Sequence, residues 1–162
     1  SRGTELWNKV MAAGERWDIG PGAPNYIERI ESNLFSFRAD TVDGCTPLEL
    51  GLEKFTSLDS DADFIGKQAL LAMRASGKIC RRLVGVWLDD EPTRPNSHPW
   101  PAYVDGVQVG ELRAACHSFR FDRPIAIALI DTCAASPGIR VDIGAETGPR
   151  TGVITELPFD PA

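Results

Sequence analysis

The spacing of apolar positions changes about halfway along the chain. Near the start, Leu6, Trp7, Val10 and Met11 recur at three- and four-residue steps, which lines one face of a helix. Thr4 is placed to cap that helix and Gly14 to end it, with Glu15 and Arg16 following. From Asp18 to Pro24, glycines at 20 and 22 and prolines at 21 and 24 forbid a regular element, so the stretch reads as a linker. Asn25 then offers a cap to a short helical segment, Tyr26 to Glu31. Ile27 and Ile30 share one face of it, and Glu28, Arg29 and Glu31 stand around the rest. Leu34-Phe-Ser-Phe37 alternates and predicts a short strand. Residues 38–63 are polar, acidic and turn-rich. Asp63 is placed to cap a second clear helix, from about Phe64 to Ser76, with Ile65, Ala69, Leu70, Ala72 and Met73 as its buried side and Gly77 as its stop.

Beyond Gly77 the period shortens to two. Arg82 to Leu88 is a strong strand, and a loop rich in Pro, Asn, Ser and His follows to Pro101. Ala102-Tyr-Val104 leads through Asp105-Gly106, a hairpin signal, into Val107-Gln-Val109. Further strands are expected at 111–118, 124–131, 139–143 and 150–157. Six or more short strands with turns about every ten residues predict a small barrel or sandwich. The change of character at Gly77 divides the chain into a part spanning 1–77 and a part spanning 78–162.

Composition narrows what such a chain can do. Its 162 residues, 43% hydrophobic and 25% charged, suffice for one ordinary domain or two small ones with a real core. No run of about 18 apolar residues could cross a bilayer as a helix. The opening residues lack a signal-peptide layout, so the expectation is a cytoplasmic protein without a membrane role. A net charge of −6 opposes phosphate backbones and argues against nucleic-acid binding.

Candidate chemistry is sparse. Cys45, Cys80, Cys116 and Cys133 lie far apart with no CxxC pair, which argues against zinc and redox motifs. Cys116 and His117 are adjacent, but neighbours on a strand point to opposite faces, a poor geometry for a nucleophile and its base. They read as a structural thiol and a surface histidine. Gly20-Pro-Gly22 has neither the GxGxxG spacing nor the GK[ST] ending of a phosphate loop. Trp7 and Trp87 fit core positions, and packing is the expected duty of Trp17 and Trp100 as well. The charges of Glu28, Arg29 and Glu31, taken alone, describe a solvated helix face with a local ion pair of a few tenths of a kcal/mol.

The order of these elements carries more information than any one motif. Leu6-Trp7 on a helix, a Gly-rich turn, Arg29-Ile-Glu31, Asp40 and Thr46-Pro-Leu-Glu-Leu-Gly-Leu52 follow in series. Asp63-Phe-Ile-Gly-Lys67 with Ala69-Leu70, Leu83-Val-Gly85, Gly110, Ser118, Ile125-Ala-Ile-Ala-Leu129 and Pro158-Phe159 complete it. This series resembles the carboxy-terminal part of the glycine-cleavage T-protein family, over almost the whole chain. The stretch from Gly20 to Glu31 looks closer to the branch of folate-dependent demethylases that act on dimethylsulfoniopropionate or aryl methyl ethers.

The resemblance implies an α+β chain: the remnant of a central, ferredoxin-like folate-binding subdomain over 1–77, then a small antiparallel β-barrel over 78–162. It implies tetrahydrofolate as cofactor in the intact protein, with a small-molecule methyl or aminomethyl donor. The catalytic carboxylate and most pterin contacts would lie upstream, so this chain alone is expected to be inactive, to partner the missing amino-terminal half, and to self-associate without it. Arg29 is the expected cation for the folate, Tyr26 a packing neighbour of the ligand, and Glu31 a further contact or the residue that orients Arg29. Departures are visible too. Pro24-Asn25 stands where the family usually has an Arg-Asp pair, Leu34 where it often has an aromatic, and Arg113-Ala-Ala115 where it has Thr-Ser-Gly. A related branch of iron–sulfur assembly factors carries a Lys-Gly-Cys run that this chain lacks. The rival reading is a non-enzymatic interaction or scaffold module on the same fold.

Overall fold

The computed structural model describes residues 2–22, 25–89 and 93–159. The expected linker and the loop after Leu88 therefore lie partly outside the described residues, at 23–24 and 90–92. Six antiparallel strands build the second part of the chain: β1 (Arg81–Leu88), β2 (Trp100–Val104), β3 (Val107–Ser118), β4 (Arg123–Asp131), β5 (Arg140–Ala145) and β6 (Gly148–Thr155). They close in the order β1-β4-β3-β2-β5-β6, with β6 paired back onto β1 from Gly85–Thr155 to Leu88–Gly152. Of the two architectures the strand spacing allowed, the barrel is the one that forms. Closure leaves no open sheet edge.

The barrel fills itself with alternate residues of each strand. Val84, Val86 and Leu88 of β1 meet Trp100 and Ala102 of β2, Ala126, Ala128 and Ile130 of β4, and Ile143 and Ile154. Trp100 is thus a core residue, as expected. β4 is buried on both faces, which is why Ile125 to Ile130 reads as an unbroken apolar run. Its outward residues Ile125 and Ile127 join Ile30, Ala114, Cys116 and Phe159 in a second cluster, with Trp87 and Phe121 packed against it. Trp87 sits edge-on to Phe121 and Phe159, with centroids 5.4 and 4.9 Å away. Asp105 and Gly106, both at positive φ, make the expected hairpin.

Two irregularities aim side chains. Val109 is the extra residue where the register of β2 on β3 shifts, next to Gly110 at φ 152°. A Cβ at Gly110 would lie 2.2 Å from the Leu129 carbonyl oxygen, so only glycine fits this close approach. On the other side of β3, Leu112 pairs with Ala128 and Ala114 with Ile127, which leaves Arg113 as a bulge residue.

The first part of the chain holds helices and turns. α1 (Arg2–Gly14) begins two residues before the expected cap Thr4, ends at Gly14 as its sequence predicts, and runs into a short 3-10 turn at Glu15–Trp17. α2 (Tyr26–Glu31) has the expected cap. Asn25 Oδ1 accepts from the Ile27 and Glu28 N–H groups (3.0 and 2.9 Å), and Glu28 Oε2 accepts from the Asn25 N–H (3.1 Å). α2 packs on β3 and β4 through Ile30, whose full burial contributes about 1.5–3 kcal/mol.

Several expectations for this part need correction. Residues 34–37 form no strand, because the chain folds into turns around Asp40 instead of pairing. The second helix, α3 (Lys67–Ser76), starts three residues after Phe64. Gly66 at φ 94° cannot continue a helix, so Asp63 caps nothing, and Lys67 Nζ instead ties the Ser60 and Ala62 carbonyls at 2.5 and 2.8 Å. Ile65, Ala69 and Ala72, assigned to a buried side, are exposed. Trp7 is not a core residue either: Leu6, Trp7 and Val10 are 63%, 53% and 51% exposed, and Trp17 is exposed as well. Helical spacing identified an apolar face correctly but could not supply the surface that covers it.

Candidate functional site

The three residues singled out for the folate, Tyr26, Arg29 and Glu31, sit on one short helix and face different surroundings. Arg29 turns inward. Its Nη1 donates to both oxygens of Asp40 at 3.0 and 2.8 Å, and more weakly to the Leu34 carbonyl at 3.4 Å. Asp40 is 0% exposed and also accepts from the Ser36 N–H at 2.7 Å. Asp40 rather than Glu31 therefore orients the guanidinium. The pair carries no net charge, so Arg29 offers directed donors rather than a bare cation. Its Nη2 is buried and has no hydrogen-bond partner among the described residues. A buried donor without a partner is rare and costs about 1–3 kcal/mol.

Tyr26 lies beside it, 37% exposed, with the Arg29 guanidinium 5.4 Å from its ring centroid. Its hydroxyl donates to Asn96 Oδ1 at 3.2 Å. Burial, more than the charges around it, pushes the phenol above its ordinary value of 10.0, so Tyr26 is a neutral donor at physiological pH. Asn96 lies in the loop before β2. Its Oδ1 also accepts from the Ala115 N–H at 2.8 Å, and its Nδ2 donates to the carbonyls of His98 (2.8 Å) and Arg113 (3.3 Å).

Glu31 points away from Arg29. Its Oε1 accepts from Ser118 Oγ at 2.5 Å and from the Arg120 N–H at 3.3 Å, which locks the end of α2 to the end of β3. The structure thus brings Tyr26 and Arg29 together and sends Glu31 to the barrel. Asp40 and Asn96 are partners that the residue pattern did not connect to Arg29 and Tyr26. Only Asp40 carried a signal, as an acid in the motif series, and its pairing follows from the turn that replaces the expected strand.

Cys116 is buried against Ile30. Burial first, and the nearby Glu31 charge second, push its thiol up to about 12. It is a structural thiol, as expected from strand geometry. His117 is less open than a surface histidine, with 19% of its side chain exposed and its ring against Phe119.

Two clefts border this region. One, of about 530 Å³, runs between residues 32–35, residues 50–55 and the ends of β1 and β6, with Lys54 and Arg82 among its apolar walls. The other, of about 500 Å³, is lined by Phe37, Arg38, Thr41 and Cys45. Both have the size of small-molecule sites, and neither is lined by Tyr26, Arg29 or Glu31. Among the described residues no group of His, Cys, Asp and Glu could hold a metal, and no helix is long and apolar enough to cross a membrane.

A closed six-stranded barrel with a short helix docked on its outer face is an architecture with known relatives. Residues 81–160 match the family described as the glycine cleavage T-protein C-terminal barrel domain, and over this span the chain belongs to that family. More particularly, it is 36% identical over 154 residues to the dimethylsulfoniopropionate demethylase DmdA of Ruegeria pomeroyi, an alignment covering 95% of this chain and 41% of the relative. It is 33% identical to an aminomethyltransferase of Listeria welshimeri, over 96% of this chain and 41% of that protein. The chain thus spans well under half the length of these relatives. The crystal structure of the glycine cleavage system aminomethyltransferase T from Bartonella henselae superposes with a TM-score of 0.71 over 83% of this chain and 37% of that one. At 20% identity that likeness speaks for the fold.

Proposed function

We propose that this chain is the carboxy-terminal portion of a tetrahydrofolate-dependent aminomethyl or methyl transferase, and that it supports one wall of the folate site without completing it. Residues 1–77 then form the end of the central folate-binding subdomain and 78–162 the barrel domain. The observation that carries the reading is the alignment itself: almost the whole chain matches a demethylase and aminomethyltransferases, and it covers 41% of their length. The branch that includes the demethylase is favoured by the higher identity.

The residues present fit one edge of a folate. A flat ring joined to an anionic tail needs an aromatic or apolar surface and directed donors. Tyr26 supplies a half-open ring, and Arg29 supplies a buried Nη2 with no partner among the described residues. Bound, tetrahydrofolate would accept a one-carbon unit on a ring nitrogen. This chain's part is to hold α2 at a fixed position, through Glu31 on Ser118 and Ile30 against β4, so that Tyr26 and Arg29 meet the ligand in one geometry. The carboxylate that handles the reacting groups, and the donor site, belong to the upstream portion in this reading. Alone, the chain turns nothing over.

Titration with tetrahydrofolate, followed by tryptophan fluorescence and calorimetry, tests the proposal. The expected outcome is weak or no binding to the chain alone and saturable one-site binding once the upstream portion is added. Arg29→Ala should weaken that binding about tenfold or more, the worth of one charge-assisted hydrogen bond. Unchanged affinity in Arg29→Ala would remove Arg29 from the site.

A further inference from the structure

The bulge in β3 places an arginine where no regular strand would. Strand alternation puts Leu112 into the barrel core, and the extra residue lets both Arg113 and Ala114 face outward before Ala115 returns to the interior. Ala114 packs under α2. Arg113 instead crosses to the turn that follows the helix. Its Nε donates to the Ala39 carbonyl at 3.0 Å, and its Nη2 donates to the carbonyls of Arg38 and Thr41 at 3.1 and 2.9 Å. Its Nη1 bonds the Glu111 carboxylate, which fixes the remaining edge of the guanidinium. Only 11% of the side chain is exposed.

Three carbonyls gathered by one planar fork define the path of residues 38–41. Arg38 is at φ 71°, a left-handed conformation that an arginine adopts only when its surroundings hold it there. Asp40 lies inside this turn, with its carboxylate on Arg29. The Arg113 carbonyl, in turn, accepts from Asn96, which holds the Tyr26 hydroxyl. Side chain and main chain of one bulge residue thus reach both members of the candidate site by separate routes.

We propose that Arg113 is the positioning residue of this site: through the 38–41 turn it fixes Asp40, and through Asp40 it sets how Arg29 presents Nη2. The folate-contact role of Arg29 rests on the function proposed above; the positioning itself does not. Arg113 touches no ligand in this scheme.

Two readouts on the Arg113→Met variant separate the questions. The first needs no ligand: the guanidinium Nε–H signal of Arg29 in 1H–15N spectra, assigned by its loss in Arg29→Lys. It should be slow to exchange and well resolved in the wild type, and should collapse toward solvent-averaged arginine in Arg113→Met, while the methyl signals of the barrel core stay in place. The second is tetrahydrofolate affinity in the presence of the upstream portion, expected to fall about tenfold, as in Arg29→Ala. Should Arg113→Met fail to fold, Arg113→Lys, which keeps the charge but not the fork, gives the same readouts. An Arg29 signal that is unmoved in a folded variant overturns the inference. A released Arg29 signal together with a wild type that never binds tetrahydrofolate upholds it and overturns the folate reading.

Discussion

Cys116 and Tyr26 are pushed in the same direction by the same cause, burial that disfavours the charged form, and the two consequences differ. A thiol raised to about 12 carries almost no thiolate at neutral pH, and the thiolate is the nucleophile. Iodoacetamide at pH 8 should therefore modify the exposed Cys80 and Cys133 in the native chain and leave Cys116 unmodified until the chain is unfolded. Mass spectrometry of tryptic peptides at timed intervals reads this directly, and early labelling of Cys116 would contradict the structural role. Tyr26 likewise keeps its proton, and with it the ability to donate to Asn96. For Arg29 the deciding quantity is partnership rather than burial. Its Nη1 is paired with Asp40, and its Nη2 is left without a partner among the described residues.

Among the elements, α1 is the one whose apolar stripe has no cover. Leu6, Trp7 and Val10 are as regular in their spacing as the residues of any core helix, yet they face solvent. Burial of a leucine or tryptophan side chain contributes about 1.5–3 kcal/mol, enough to drive association when no intramolecular partner exists. The chain by itself should therefore self-associate through this helix, since the closed barrel offers no strand edge. Paired replacement of Leu6 and Trp7 by serine is expected to raise the dissociation constant at least about tenfold in sedimentation velocity. An unchanged sedimentation coefficient across concentrations for both forms would show that the stripe is not sticky. α3 shows the limit of reading faces from spacing. Its expected buried residues are divided between partly covered and open positions, because a helix on the rim of a molecule covers less than its pattern allows.

At the scale of the whole molecule, polar and charged contacts add to the packing of Ile30 in joining the helical part to the barrel. Glu49 is the most telling. Its backbone oxygen accepts from the Leu83 N–H of β1 at 2.9 Å, and its carboxylate accepts from Arg81 Nε at 3.1 Å and from the Thr46 N–H at 2.9 Å. Burial raises the carboxyl, but the bonds from Thr46 and Arg81 together outweigh it and hold Glu49 below its ordinary 4.5. A carboxyl lowered by folding stabilises the folded state above its ordinary value, and that stability is lost as pH falls through the lowered one. At pH 7, Glu49→Gln should cost about 1–3 kcal/mol in urea unfolding. The gap should close once the pH lies below the lowered carboxyl value. A gap of constant size from pH 7 to pH 3 would show that the charge of Glu49 is not what joins the two parts.

The sequence by itself determined the elements whose causes are local. Asn25 and Glu28 cap α2 with their own side chains, Gly14 ends α1, Asp105-Gly106 turns a hairpin, and period two across 82–155 yields six strands. It also determined the family, because the order of short segments survives without any knowledge of their contacts. The tertiary structure closes the barrel that the resemblance implied and that strand spacing alone left open against a sandwich, since closure depends on β6 meeting β1 across some seventy residues. It alone kept residues 34–37 out of a strand, because the 38–41 turn that follows is shaped by Arg113 from a distant strand. It alone gave Arg29 to Asp40 and Glu31 to Ser118, although both lie in one helical turn. Spacing tells which residues share a face; what each face meets is settled by chain segments that spacing cannot bring together.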